Sequence, residues 1–147
     1  MVHALKEIHR LLAPAGRLID IHPFAEAPVI EIHQGGLLTF SEPVPEYAVE
    51  AIQHAEKALA DVIGCGLFAV EGAHQFDFRT YASSVAELQA FLADQDSLTG
   101  DPRDEAAMAQ NYEALAAHIE QLMQAAGEGA DVVFHERVHM ALLRPSS

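Results

Sequence analysis

Residues 135–139, HERVH, have the spacing of the H-E-x-x-H zinc-protease motif. That chemistry requires a helix, because residues i and i+4 then share one helical face and both histidines reach one ion. The surrounding residues alternate between apolar and polar types and are rich in valine, which is typical of a strand. On a strand the two histidines lie roughly 13 Å apart, too far for tetrahedral zinc with bonds of about 2 Å. We therefore predict a strand with a solvated face and no metal site.

The remaining histidines show no spacing that favours a metal ion. The chain has nine histidines, and those expected on helices, His3, His9, His54 and His118, stand at unrelated positions. Each is interpreted as a surface or core histidine. A small metalloenzyme that uses the histidines is therefore the last of the functions considered.

His22 is a stronger candidate, because it ends a short apolar segment at residues 17–22, RLIDIH. Ligands of open α/β sheets gather at the carboxyl ends of strands, so we take His22 as a substrate-pocket residue. Phe24 and a hairpin at residues 29–40 could cover the same cleft, and His74 could enter it from the next strand. The competing interpretation of His22 is a hydrogen-bonded turn histidine, and the catalytic residues stay unassigned.

Asp20 lies between two isoleucines of the same segment. A carboxylate in a buried strand needs a polar partner, which Arg17 or a neighbouring chain could supply. A general-base role for Asp20 is the alternative.

Composition limits the classes of function. A chain of 147 residues fits a single domain, 1–147. Its net charge of −14 and its eight lysines and arginines argue against nucleic acid and anionic membranes as partners. Cys65 is the one cysteine, which excludes an internal disulfide and a cysteine-based zinc cluster. The amino terminus lacks the pattern of a signal peptide and no apolar run reaches about 18 residues, so we expect a cytoplasmic protein.

Hydrophobic periodicity predicts an α/β chain that alternates helices and strands. Ser83 or Ser84 is expected to cap a short helix, with Glu87 as the reciprocal capping-box partner of Ser84. A polar loop is predicted at residues 94–104. The final two long strands are expected to pair antiparallel at one side of an otherwise parallel sheet.

Residues 4–23, ALKEIHRLLAPAGRLIDIHP, resemble the helix and fifth strand of class I S-adenosylmethionine-dependent methyltransferases. Members of that family carry an "aL.Ei.RvLkPGGrl.l" run here, and Ala15 replaces the first glycine of the "PGG". Residues 131–145, which end in Arg144 and Pro145, are similar to the family's terminal strand. The segments between follow the family's order of elements but carry no specific motif.

The resemblance implies a partial Rossmann-like methyltransferase fold, a mixed sheet with an antiparallel terminal strand pair and an inserted hairpin. In the family, a glycine-rich loop and an acidic residue hold S-adenosylmethionine, and both precede the matching segment. No Gly-x-Gly follows a strand here, and the first helix starts at Met1 without a capping residue. We therefore expect a truncated, methyltransferase-like substrate-side half that has no cofactor of its own.

The resemblance leaves the activity open, so a non-catalytic, acidic binding or assembly domain is the alternative function. Its cleft near His22 would take a small apolar ligand or a peptide. The strand at residues 17–22 is expected to have an open apolar edge, and such edges pair with other chains. We expect a homodimer, or a partner chain, through that edge.

Overall fold

A computed structural model describes residues 1–44, 49–99 and 105–146 of the chain. The helices and strands of these residues are α1 (Val2–Leu11), β1 (Leu18–Pro23), β2 (Val29–Gln34), β3 (Leu37–Pro43), α2 (Glu50–Gly64), β4 (Phe68–Ala82), α3 (Val85–Thr99), α4 (Glu105–Ala126) and β5 (Ala130–Pro145). The α/β class is confirmed. None of the described helices is both long enough and apolar enough to cross a membrane.

The five strands belong to one sheet, in which β5 pairs with β1, β2 and β4. β1 and β2 are each antiparallel to β5, and β3 is antiparallel to β2. The prediction of a mixed, otherwise parallel sheet is therefore wrong, since the sheet is antiparallel. β5 runs opposite to both β1 and β2. The pairing of strands that are distant in the sequence, and not the helical connections between them, therefore determines the direction of the strands.

The hairpin expected at residues 29–40 is formed by β2 and β3, and its second strand continues to Pro43. Gly35 and Gly36 make the two-residue turn with φ angles of 58° and 79°. Two consecutive positive φ angles are typical of a type I′ turn, whose twist matches that of the flanking strands. Glycine is favoured at both positions because a Cβ atom is strained there.

The sequence predicts a single domain, and the contacts of the structure divide the chain into two compact units. Unit 1 comprises residues 1–26, 48–78 and 136–147, and unit 2 comprises residues 27–47 and 79–135. β4 and β5 each contribute residues to both units.

Unit 1 has a core built from α1, α2 and the strands β1, β4 and β5. Leu5 of α1 is buried because the apolar residues of that helix recur at spacings of three and four. It packs in one cluster with Val62 of α2, Phe68 of β4 and Leu143 of β5, and these three side chains are almost completely buried. Burial of large apolar side chains stabilises the unit by about 1.5–3 kcal/mol each.

Unit 2 has its own core between the β2–β5 pair and the helices α3 and α4. Ile32 and Val132 are directly opposite each other in the two strands and are both fully buried. They pack with Leu88 of α3 and Ile119 of α4. The alternation of apolar residues in β2 therefore positions one strand face against the two helices.

α3 begins with a capping arrangement that matches the prediction in part, because Ser84 caps the helix but Glu87 bonds Ser83 instead of Ser84. The Ser84 hydroxyl accepts a hydrogen bond from the Glu87 backbone N–H at 3.2 Å, and the Glu87 carboxylate accepts one from the Ser83 backbone N–H at 2.8 Å. These hydrogen bonds from Ser83 lower the pKa of Glu87. The helix extends to Thr99, so residues 94–99 of the predicted loop are helical, and residues 100–104 lie outside the described residues.

Replacing Ser84 with alanine is expected to destabilise the protein by about 1 kcal/mol, because a helix amino terminus loses its side-chain acceptor. Chemical denaturation followed by circular dichroism measures this loss. Ser84→Asp, which retains an acceptor oxygen, is the matched control and should keep most of the stability. Equal stability of the wild type and Ser84→Ala would contradict the capping role.

Candidate functional site

β1 presents two different faces because successive side chains of a strand point to opposite sides of the sheet. Asp20 and His22 are half-buried on one face, whereas Ile19 and Ile21 are 60% and 59% exposed on the other. The register of β1 and β5 places His22 directly opposite His139. The polar face of β1 therefore meets a second histidine across the strand pair.

Asp20, His22 and His139 form a compact cluster within unit 1. The His22 Nδ1–H donates a hydrogen bond to Asp20 Oδ2 at 2.6 Å. The centroids of the His22 and His139 rings are 5.4 Å apart. His22 and Asp20 are only 15% and 25% exposed at their side chains, so water screens this pair only partly.

The aromatic ring of Phe24 and the guanidinium of Arg137 lie beside this cluster. The Phe24 ring approaches His139 edge-on, with a centroid distance of 6.1 Å. The Arg137 guanidinium lies 4.8 Å from the centroid of the Phe24 ring and forms an ion pair with Glu26 at 3.3 Å. The Phe24 backbone N–H donates to the Arg137 carbonyl oxygen at 2.9 Å, which fixes the chain just after β1. This arrangement offers a stacking surface beside two imidazoles and a carboxylate.

The structure places His22 and Phe24 near one residue, His139, but it places His74 elsewhere. His74 lines an open apolar depression of about 360 Å³ together with Ile19 of β1 and Met140 and Leu142 of β5. Ile19 faces away from His22 on the strand, so the depression and the histidine cluster occupy opposite faces of the sheet. The expectation that His74 enters the same cleft as His22 is therefore not met.

The partner of Asp20 also differs from the prediction. Arg17 forms its ion pair with Glu71 of β4, and Asp20 is hydrogen-bonded to His22. The sequence suggested Arg17 because it is near in the chain. However, Arg17 and Asp20 are three residues apart, and side chains separated by an odd number of residues in an extended chain point to opposite sides. A residue two positions away shares the face, as His22 does.

A second carboxylate–histidine cluster lies within unit 2. Glu31 of β2 is 7% exposed. One of its oxygens accepts a hydrogen bond from His33 Nε2 at 2.8 Å and the other accepts one from His135 Nδ1 at 2.7 Å. Arg79 Nε lies 3.6 Å from the oxygen that bonds His33. Both oxygens of the carboxylate therefore have hydrogen-bond donors.

These donors set the ionisation of Glu31. Burial on its own would raise the pKa of the Glu31 carboxyl, since a buried charge loses its hydration. The hydrogen bonds from His33 and His135, together with the electrostatic attraction of His135 and Arg79, outweigh burial and hold the pKa below its ordinary value. Glu31 is therefore a fixed anion that orients two imidazoles.

The HERVH segment lies in β5, as the alternation predicts. His135 belongs to the Glu31 cluster in unit 2 and His139 to the Asp20 cluster in unit 1, so the two histidines do not serve one ion as they would in a zinc protease. Glu136, which would be the general base of that motif, is half-buried, and burial raises the pKa of its carboxyl.

Replacing Glu136 with glutamine is expected to raise the melting temperature at neutral pH. A raised pKa in the folded protein means that the ionised form costs folding free energy above that pKa. The cost disappears as the pH falls below the ordinary pKa of glutamate, about 4.3. Melting curves of both proteins between pH 4 and pH 8 should therefore converge at the acid end. A variant that is less stable at pH 8 would contradict this.

Sequence reasoning missed His139, Glu31, His33 and His135 as cluster residues. A signal was present, since β1 reads Ile-Asp-Ile-His and β2 reads Ile-Glu-Ile-His. In each strand the acid and the histidine two residues later share a face and bond each other. The HERVH segment then supplies one further histidine to each pair.

No family model, no curated protein and no solved structure among those searched matches the chain.

Proposed function

We propose that the chain is the substrate-side half of a methyltransferase-like fold of the Rossmann type, with its substrate pocket at the carboxyl end of β1. The observation that carries the proposal is the gathering of His22, Phe24 and His139 at that end. Phe24 lies just after β1, and binding residues are disproportionately found in the segments that connect strands. The segment that resembles the methyltransferase family, residues 4–23, forms α1 and β1 and leads directly into this group.

The order of elements also supports the proposal. After the α1–β1 unit come the β2–β3 hairpin, α2 and β4, and the terminal strand β5 pairs with both β1 and β4. This is compatible with a pair of long final strands beside the fifth strand of the family. The chain differs from the family's pattern in its antiparallel sheet and in its β2–β3 hairpin.

We also propose that the chain alone does not bind S-adenosylmethionine, because no Gly-x-Gly loop leads from a strand into a helix in its sequence. Titration calorimetry with S-adenosylhomocysteine tests this. We expect no heat of binding at ligand concentrations up to the millimolar range. Micromolar binding by the chain would overturn this part of the proposal and indicate a complete cofactor site.

The substrate pocket is tested separately, by nuclear magnetic resonance with a panel of small methyl acceptors. A ligand of the proposed pocket should shift the signals of His22, Phe24 and His139. Binding should weaken in His22→Ala and remain unchanged in His74→Ala, because His74 lies on the opposite face of the sheet. A panel whose ligands shift only the signals of His74 and its neighbours would place the pocket at the apolar depression instead.

One observation favours the second candidate, a non-catalytic binding or assembly domain. The side of the β1–β5 pair that carries Ile19, Ile21 and Leu142 is apolar and exposed. Exposed apolar patches are common at interaction surfaces. The sequence predicts the ligand of such a domain in the cleft near His22, whereas this observation favours an apolar ligand or a peptide at the opposite side, whose binding would not depend on His22.

We also propose self-association, or association with a partner chain, through the edge of β1. Among the described residues β1 pairs only with β5, which leaves its other edge without a neighbouring strand. An unpaired edge with apolar side chains is a template for strand addition. Light scattering at high protein concentration should therefore give a mass above that of one chain. A monodisperse monomer would count against the homodimer.

A further inference from the structure

The polar cluster of unit 1 has the donor atoms of a metal site. Asp20, His22 and His139 each offer one ligand atom, and these atoms all lie within 4.8 Å of one another. Among the residues that the structure describes, this is the one set of three histidine, cysteine or acidic side chains with that spacing. We propose that these three residues bind one divalent transition-metal ion of the Zn²⁺ class.

The strand geometry explains how three ligands converge. His22 and His139 are register partners, and side chains directly opposite each other in an antiparallel pair have Cβ atoms about 4.5–5.5 Å apart. Asp20 precedes His22 by two residues and therefore shares its face. Ligand atoms bound tetrahedrally at about 2.0–2.1 Å lie roughly 3.4 Å from one another. Small rotations of the side chains thus bring the set onto a single ion.

The chemistry of the donors selects the ion. Neutral imidazole and carboxylate suit zinc and its neighbours in the first transition series, and two histidines with one carboxylate leave a coordination position open. The hydrogen bond between His22 and Asp20 shows that the imidazole and the carboxylate already face each other at 2.6 Å. An ion that took this Nδ1 would replace the hydrogen bond, and the neutral imidazole would then carry its proton on Nε2.

The electrostatics around the cluster permit a cation. The net charge of −14 attracts cations to the protein. The nearest arginine in the group, Arg137, is already paired with Glu26 and stacked on Phe24. By contrast, His33 and His135 bond different oxygens of Glu31 in unit 2, and these three residues do not form a set with the spacing of the unit 1 cluster.

Titration of the purified full chain with Co²⁺ and Zn²⁺ tests the proposal. We expect one Co²⁺ per chain with the visible absorption of a tetrahedral or five-coordinate ion, and displacement of Co²⁺ by Zn²⁺. His139→Ala and Asp20→Asn should each weaken binding by about tenfold or more, which is the order of loss that even outer-shell substitutions produce. His118→Ala, which removes a half-exposed histidine of unit 2, is the matched control and should bind as the wild type does.

Two controls distinguish a loss of metal binding from a loss of folding. Asp20→Asn keeps the shape of the side chain, and circular dichroism of each metal-free variant shows whether it folds. Co²⁺ that binds with only the pale spectrum of an octahedral aqua ion would overturn the site. The same conclusion follows if His118→Ala lowers affinity as much as His139→Ala, because the ion would then bind histidines indiscriminately. The proposal stands independently of the methyltransferase-like assignment.

Discussion

Replacement of Glu31 with glutamine is expected to lower the free energy of unfolding by about 2–4 kcal/mol, the order of loss when one partner of a buried ionic group is removed. Glu31 is 7% exposed and both of its oxygens accept hydrogen bonds. Glutamine retains one acceptor oxygen. Its amide NH₂ would face an imidazole N–H, so two donors would meet in a site shielded from water.

The pH dependence gives this prediction a second test. The pKa of Glu31 is lowered in the folded protein, so its stabilisation is fully present above the ordinary glutamate pKa of about 4.3. The stabilisation is lost as the pH falls through the lower, folded pKa. Urea unfolding should therefore separate the wild type from Glu31→Gln at pH 7 and bring the two together in strong acid.

Glu26→Gln is the matched control for Glu31→Gln. It removes an ion pair with Arg137 whose side chains are about half exposed, and such pairs contribute about 0–1 kcal/mol. If Glu31→Gln were as stable as Glu26→Gln, the carboxylate would not organise the two imidazoles of unit 2.

Features that depend on neighbours in the sequence were predictable. The spacing of apolar residues in α1, the two glycines between β2 and β3, and the serine and glutamate at the start of α3 each specify local backbone geometry. The alternation around HERVH likewise indicates a strand, and β5 contains it. Each of these patterns acts within a few residues, so the rest of the chain cannot easily reverse it.

The partners of the polar side chains were not predictable in the same way. Whether His139 meets His22, or His135 meets Glu31, depends on the register between strands more than 100 residues apart. A shift of one residue would move every side chain to the other face. The same reason explains His74, whose position on β4 relative to His22 is determined by pairing through β5. Periodicity defines the faces of each strand but not which faces meet.

The relative direction of the paired strands was not predictable from the sequence either. A helix between two strands favours a parallel crossover, and the sequence has a helix between β3 and β4. The structure pairs β5 with β1, from which it is separated by most of the chain, and the two strands are antiparallel. Sequence patterns identify the strands, but the neighbours of a strand follow from the packing of the whole chain.

Two adjacent leucines of β5 provide the second prediction with a large expected effect. Leu143 is fully buried in the core of unit 1, whereas Leu142 is 37% exposed beside the apolar depression. Leu143→Ala should lower the free energy of unfolding by about 2–5 kcal/mol, because it removes buried methyl groups and leaves a cavity. Leu142→Ala, the same substitution one residue away, should lower it by about 1 kcal/mol or less, since its side chain remains in contact with water.

The comparison of these two variants also tests whether a second molecule covers the apolar side of the β1–β5 pair. Urea unfolding of the wild type and of Leu142→Ala, each at two protein concentrations, distinguishes an exposed from a covered Leu142. If the monomer exposes Leu142, as the structure has it, the small loss should not depend on concentration. If a second chain covers that side, the loss should grow at the higher concentration, because association stabilises only the folded wild type. A loss as large as that of Leu143→Ala at both concentrations would contradict the alternation of faces along β5, from which both clusters and the depression are derived.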